Sequence, residues 1–210
     1  RCLPQLRRAC LGIAAMSWRI LTGDAREQLR QLPEQSAQCC VTSPPYWQLR
    51  DYGVAGQLGL EPTPEAYIAG MVAVFDEVGR VLRDDGTLWL NMGDSYAGQG
   101  GGNDGQHSGL NRWRCGGRTS RKAAPGLKPK DLCGMPWRLA LALQADGWWL
   151  RSEIIWHKPA PMPESVRDRP TRSHEHIFLL AKQPRYFYNA EEARLLRQQE
   201  DVDRKSTRLN

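Results

Sequence analysis

The chain has 210 residues, 40% hydrophobic and 25% charged, the balance of one folded globular domain and not of a disordered or fibrous protein. No apolar run approaches the ~18 residues that cross a bilayer, so a membrane-spanning helix and a membrane partner are excluded from the expectation. The net charge of +6 is unevenly placed: residues 1–15 and 203–210 hold five of it, while 111–130 contains seven basic residues and no acid, a local patch suited to nucleic acid.

In chain order, residues 1–15 read as sequence translated upstream of a start at Met16, and not as part of a domain. Trp18 to Thr22 is a short strand. Asp24, three residues before Glu27, opens a helix with Leu29 and Leu32 on one face. Gln38 to Thr42 is a buried strand, stopped by Ser43-Pro44-Pro45, whose prolines cannot donate to a ladder and stiffen the turn. Thr63 caps a helix with Pro64 in its first turn, and Tyr67, Ile68, Met71, Val72, Phe75, Val78 and Leu82 recur at helical spacing. Asp84-Asp85-Gly86 is a turn before the strand Thr87 to Met92.

Ala97 to Lys130 has no periodic apolar face and reads as a long basic loop. A helix follows around Met135 to Ala145, stopped by Gly147, then strands Trp149 to Trp156 and Glu175 to Ala181 and a short helix after Asn189. Strands alternating with helices predict an α/β fold with a doubly wound sheet. Asp203 to Asn210, DRKSTRLN, matches an in-frame translation of a sequencing-library adapter. The domain is therefore expected to occupy 16–202, within a longer gene product.

Six cysteines without a C-x-x-C spacing point to reduced thiols in a cytoplasmic protein, not a disulfide framework. Cys39 and Cys40, inside a strand, read as packing and not as nucleophiles. His107, Cys115 and Cys133 match no zinc spacing, and no metal is expected. Gly100 to Gly105 fits G-x-G-x-x-G but lacks a following amphipathic helix, so it reads as loop. His174 and His176 alternate along a strand and read as sheet packing.

The chemistry concentrates in Val41-Thr42-Ser43-Pro44-Pro45-Tyr46-Trp47. Ligands of open α/β sheets bind beyond the carboxyl ends of strands, where this stiff turn presents a hydroxyl, carbonyls and an aromatic ring. That set suits alkylation of an exocyclic nucleobase amine, whose lone pair is delocalised into the ring. Two acceptors, Ser43 Oγ and the Pro44 carbonyl, would each hold one N–H and favour a pyramidal nitrogen. Tyr46 would stack on a base flipped from the duplex, and no strong base is required.

Thr-Ser-Pro-Pro-Tyr at 42–46 resembles the catalytic motif of DNA amino-methyltransferases, in the version of the cytosine-N4 enzymes. The resemblance runs from about Met16 to Asn189 and includes Gly23-Asp24, Thr87 to Met92 with Gly93-Asp94, and Ser173 to Phe178. It implies a Rossmann-like sheet, incomplete here, with S-adenosyl-L-methionine as cofactor and double-stranded DNA as substrate. A cognate restriction endonuclease system is the partner it suggests. It assigns catalysis to Ser43, Pro44, Pro45 and Tyr46 and cofactor contact to Asp24 and Thr42; Trp47, and from the local run of positive charge Arg112, Arg114, Arg118, Arg121 and Lys122, are the expected DNA contacts. Its permuted order puts the cofactor's F-x-G-x-G strand turn late, and none follows Tyr188. The first strand is then expected to be orphaned or mispaired, the catalytic strand to show an exposed edge, and these residues alone to be inactive. Adenine-N6 methylation and a non-catalytic nucleic-acid-binding module remain the alternatives.

Overall fold

The computed structural model describes residues 18–98, 126–161, 163–164 and 166–194. Within them the order is α1 (Ala25–Arg30), β1 (Ala37–Thr42), α2 (Pro64–Val81), β2 (Leu82–Met92), α3 (Met135–Ala145), β3 (Trp149–His157) and β4 (His174–Ala181). Residues 190–194 are helical, with the Asn189 side chain accepting from the Glu192 N–H at 3.2 Å.

The longest helix follows its local chemistry. Thr63 Oγ1 accepts the Ala66 N–H at 3.1 Å and Pro64 fills the first turn, where no intrahelical N–H bond is lost. Tyr67, Met71, Val74, Phe75 and Val78 then form one buried stripe. The strands assemble as β1-β2-β4-β3, with β1 and β2 parallel and joined through α2, and the other two pairings antiparallel. Leu88, Leu90, Met92, Phe178 and Leu180 on one sheet face pack with Met71 and Phe75 of α2 and Leu139 and Leu143 of α3. Burial of this apolar surface is the main stabilising term. The other face bears Val41, Ile154 and Trp156, all exposed. No described helix is long and apolar enough to cross a membrane.

Three expectations are corrected. Trp18 to Thr22 forms no strand: among the described residues it has no ladder partner and Trp18 is 83% exposed, so the orphaned alternative holds over mispairing. The strand at 37–42 is not buried. Among the described residues it pairs only with β2, leaving an open edge, and Val41 is 79% exposed on the uncovered face. Asp84 to Gly86 does not precede a strand but interrupts one: Ala37 aligns with Leu82, and Cys39 with Thr87, so the extra residues bulge out of β2. Gly86 permits the bulge, since a Cβ there would lie 2.9 Å from the Arg83 carbonyl oxygen.

Candidate active site

The sheet order brings four chain segments to one place. β1 and β2 end on the same side, and β4, running antiparallel, begins there, with Asn91 opposite Ile177 and Met92 opposite His176. β3 runs antiparallel to β4, so Lys158, just past its end, reaches the same rim. Ser43, Asn91, Gly93, Lys158 and Glu175 meet although far apart in sequence.

The Ser43–Trp47 turn is fastened from behind. Tyr67 on α2 donates its hydroxyl to the Pro45 carbonyl at 2.9 Å, and Trp47 Nε1 donates to the Glu61 carbonyl at 2.9 Å. The Gln48 N–H donates to the Gly59 carbonyl at 2.6 Å. Gly59, at φ +100°, adopts a backbone open mainly to glycine, and a Cβ there would press on Pro45 and on the Tyr46 carbonyl. Among the described residues, no hydrogen bond engages the Pro44 carbonyl.

The front of the turn is polar. Asn91 Nδ2 donates to Ser43 Oγ at 3.1 Å, to the Tyr46 hydroxyl at 3.1 Å and to Glu175 Oε2 at 2.9 Å. Tyr46 donates to the same Glu175 oxygen at 3.1 Å, and Lys158 pairs with Glu175 Oε1. Burial works against the Glu175 charge, but the hydrogen bonds from Lys158, Asn91 and Tyr46 outweigh it and hold the carboxyl below its usual range. Burial first, then the Glu175 charge, pushes the Tyr46 phenol up to about 12, so it stays a neutral donor. Gly93 lies flat under the Tyr46 ring: a Cβ would sit 2.6 Å from one ring carbon.

Two hollows meet at this turn. A cleft of about 260 Å³ is lined by Ser43, Pro44, Tyr46, Leu49, Arg50, Tyr52 and Glu175. A larger apolar hollow, about 400 Å³, lies between α1, β1 and α2 and shares Ser43 and Pro44 with the cleft. A ligand in each would meet at those two residues.

Ser43, Pro44, Pro45 and Tyr46 thus stand together at the strand end, and Thr42 faces the apolar hollow. Asp24 caps α1, accepting the Arg26 and Glu27 N–H groups at 3.0 and 3.3 Å; Leu21 and Ala25, close to it in sequence, line that hollow, whereas Asp24 itself does not. Trp47 requires correction: it is 3% exposed within the core, its indole N–H satisfied, and it anchors the turn instead of facing DNA. Arg112, Arg114, Arg118, Arg121 and Lys122, with Gly100 to Gly105, His107 and Cys115, lie outside the described residues. The feet of that basic segment are joined beside the site, where Ala97 and Lys130 exchange backbone bonds with their partners (Ala97 N–H to Asp131, Lys130 N–H to Ala97, both 2.8 Å). Cys40 is part-buried, its thiol pushed up to about 11 by burial and by Cys39, whereas Cys39 is exposed. His176 turns from the cleft toward Glu153 at 2.5 Å and stacks on Phe178, as sheet packing requires.

Sequence reasoning missed Asn91, Lys158 and Glu175, and the cleft walls Leu49, Arg50 and Tyr52. The available signal was period 2: if His174 and His176 share a face, Glu175 must point to the other.

Residues 37–209 match the family model of the N6/N4 DNA methylases. The chain is 51% identical over 200 residues to the type II methyltransferase M.SmaI of Serratia marcescens, covering 95% of this chain and 68% of that protein. To M.XycI of Xanthomonas campestris pv. cyanopsidis it is 54% identical over 176 residues, covering 83% of this chain and 58% of that protein. The chain therefore spans 58–68% of the length of these two relatives. Among solved structures, the cytosine-N4-specific PvuII DNA methyltransferase superposes with a TM-score of 0.56 at 16% identity, over 81% of this chain and 51% of that one. A putative DNA modification methylase of Thermus thermophilus, solved with S-adenosyl-L-methionine, gives 0.52 at 24% identity, over 81% and 55%. These superpositions give the fold, that of a DNA methyltransferase. By the family match and these relatives, the chain belongs to the N6/N4 DNA methylase family.

Proposed function

We propose that the protein containing this chain is a site-specific DNA methyltransferase acting on the exocyclic N4 of cytosine, with S-adenosyl-L-methionine as methyl donor. The observation that carries the reading is the meeting of two hollows at Ser43 and Pro44, because a direct transfer needs donor and acceptor sites that touch.

The residues fit both groups. The apolar hollow's volume, about 400 Å³, falls within the range of small-ligand sites, and Thr42 lines it together with Leu21 and Ala25, residues close to Asp24 in sequence. S-adenosyl-L-methionine, when bound, supplies an electrophilic methyl group on a sulfonium centre. In the cleft, Ser43 Oγ and the Pro44 carbonyl accept the two amine hydrogens and draw the nitrogen toward a pyramidal shape, freeing its lone pair. The Tyr46 hydroxyl is already engaged, so its ring face is what it offers a flipped base. Positive charge would develop on the nitrogen as the methyl group's bond to sulfur gave way to one to nitrogen. The fixed acceptors Ser43 Oγ and the Pro44 carbonyl would stabilise that charge more than the ground state, and the surplus amine proton would pass to solvent at the cleft mouth. The basic residues of 112–130 would contact phosphate, and a cognate restriction endonuclease would complete a type II system.

Incubating the complete gene product with unmodified DNA and methyl-labelled cofactor, then digesting to nucleosides, should give N4-methyldeoxycytidine. N6-methyldeoxyadenosine would overturn the base assignment. DNA binding without label incorporation or cofactor binding would favour the non-catalytic module.

Gly93 offers an independent check. Gly93→Ala puts a Cβ 2.6 Å from the Tyr46 ring, which cannot retreat without leaving Glu175. Turnover is expected to fall about 10- to 100-fold, since small displacements of a positioning surface are costly. An unchanged rate would mean that Tyr46 is not held where the base must stack.

A further inference from the structure

We propose that Glu175 is a positioning residue for this reaction: with Lys158 it orients the Asn91 amide and thereby fixes both the Ser43 hydroxyl and the Tyr46 ring. The proposal rests on the preceding reading of the Ser43–Tyr46 turn.

Glu175 Oε2 takes two hydrogen bonds, from Tyr46 and from Asn91, while Oε1 is engaged by the Lys158 ammonium. A carboxylate has no proton to give, so the Tyr46 hydroxyl must donate to it and must accept from Asn91. The Asn91 amide is oriented by the same charge. Its Oδ1 is buried without a partner among the described residues, and turning the amide over would set that oxygen against the Glu175 carboxylate. Held as it is, the amide presents its N–H to Ser43 Oγ. One carboxylate on β4 therefore sets the geometry of two residues on the turn after β1, 129 positions from Tyr46.

The placement argues against a purely structural ion pair. Glu175 lines the cleft, its side chain is 18% exposed, and the Lys158 side chain is 42% exposed at the rim. The pair therefore lines the cleft and not the core, and its Lys158 end is open to solvent, where an ion pair is partly screened. The depressed titration of Glu175 fits a charge held in place by its partners.

The test uses the complete protein with Glu175→Gln, Lys158→Met and the double variant, reading kcat and KM for DNA and cofactor together with melting temperature. In Glu175→Gln, the Lys158 ammonium draws the amide oxygen outward, so the amide hydrogens face Asn91 and reverse it. We expect kcat to fall about 10- to 100-fold, with both KM values within about threefold and melting within about 2 °C. Adding Lys158→Met lets the glutamine turn its oxygen inward, and the double variant should recover at least about threefold over Glu175→Gln alone. A kcat for Glu175→Gln within twofold of wild type, a loss confined to KM, or a double variant no better than the single would overturn the proposal. If wild type makes N4-methylcytosine and Glu175→Gln matches it, only this inference fails. If wild type methylates no base, the functional reading fails and takes this inference with it. A wild-type product of N6-methyladenine changes the base assignment and leaves the kcat criteria in force.

Discussion

Replacing Ser43 by alanine in the complete protein should lower turnover at saturating DNA by about 100- to 1,000-fold, the loss seen when one preorganised hydrogen-bonding group is taken from a charge-stabilising site. The residue is exposed at the strand end, and Asn91 donates to its hydroxyl oxygen at 3.1 Å. Removing the hydroxyl leaves Asn91 still bonded to Tyr46 and Glu175, so no buried donor is stranded. The melting temperature should accordingly move by less than about 2 °C, and the turn should keep its shape through Tyr67 and Glu61. DNA affinity should also hold, because phosphate contacts and not the amine grip dominate it. Single-turnover rates and equilibrium binding on the same preparation separate these effects. A variant that binds DNA weakly but turns over normally once saturated would make Ser43 a substrate contact with no part in the transition state.

What was legible in the sequence was local. Thr63 and Pro64 mark the start of α2, and the paired prolines mark the end of β1, because each acts through its own backbone. The Ser43–Tyr46 turn could be located at the strand end from its own residues for the same reason. Sheet order is not local, and it is sheet order that carries Asn91 and Glu175 to the turn from β2 and β4. The alternation in His174 to His176 was read correctly for the histidines, while the residue between them was the one facing the cleft. Trp47 misled because an aromatic after a stiff turn looks like a stacking platform; the decisive partner, the Glu61 carbonyl, lies 14 positions on. The apolar composition of 38–42 suggested burial because such a strand normally has neighbours on both sides. Here β2 is its single partner among the described residues.

The second large effect should be on stability. Asp94→Ala in the complete protein is expected to cost about 3 kcal/mol, a sum of a lost helix cap and of charge-assisted bonds, and to lower melting by about 5 °C or more. Gly134, at the N-cap of α3, has no side chain to cap with and sits at φ 68°. Asp94 supplies the cap from 40 positions upstream: Oδ2 accepts the Gly134 N–H and Oδ1 the Met135 N–H, both at 3.0 Å. Oδ1 also takes the Ser95 N–H at 2.9 Å. The carboxylate is 3% exposed, and Arg172 lies 3.8 Å away, its Nη1 otherwise unpartnered among the described residues. Truncation leaves three N–H groups unmet, two at the positive end of a helix dipole, beside an uncompensated guanidinium. Asp94→Asn keeps one acceptor and loses the charge, so it should cost about half as much. Adding Arg172→Leu to Asp94→Ala should restore part of the loss, because the stranded cation goes with it. If the double variant melts no higher than Asp94→Ala alone, the cost lies in the cap and not in the charge. Asp94 directly follows Gly93 and precedes the joined feet of the basic segment. Its loss should therefore also loosen the floor under Tyr46, so turnover should fall before global unfolding begins.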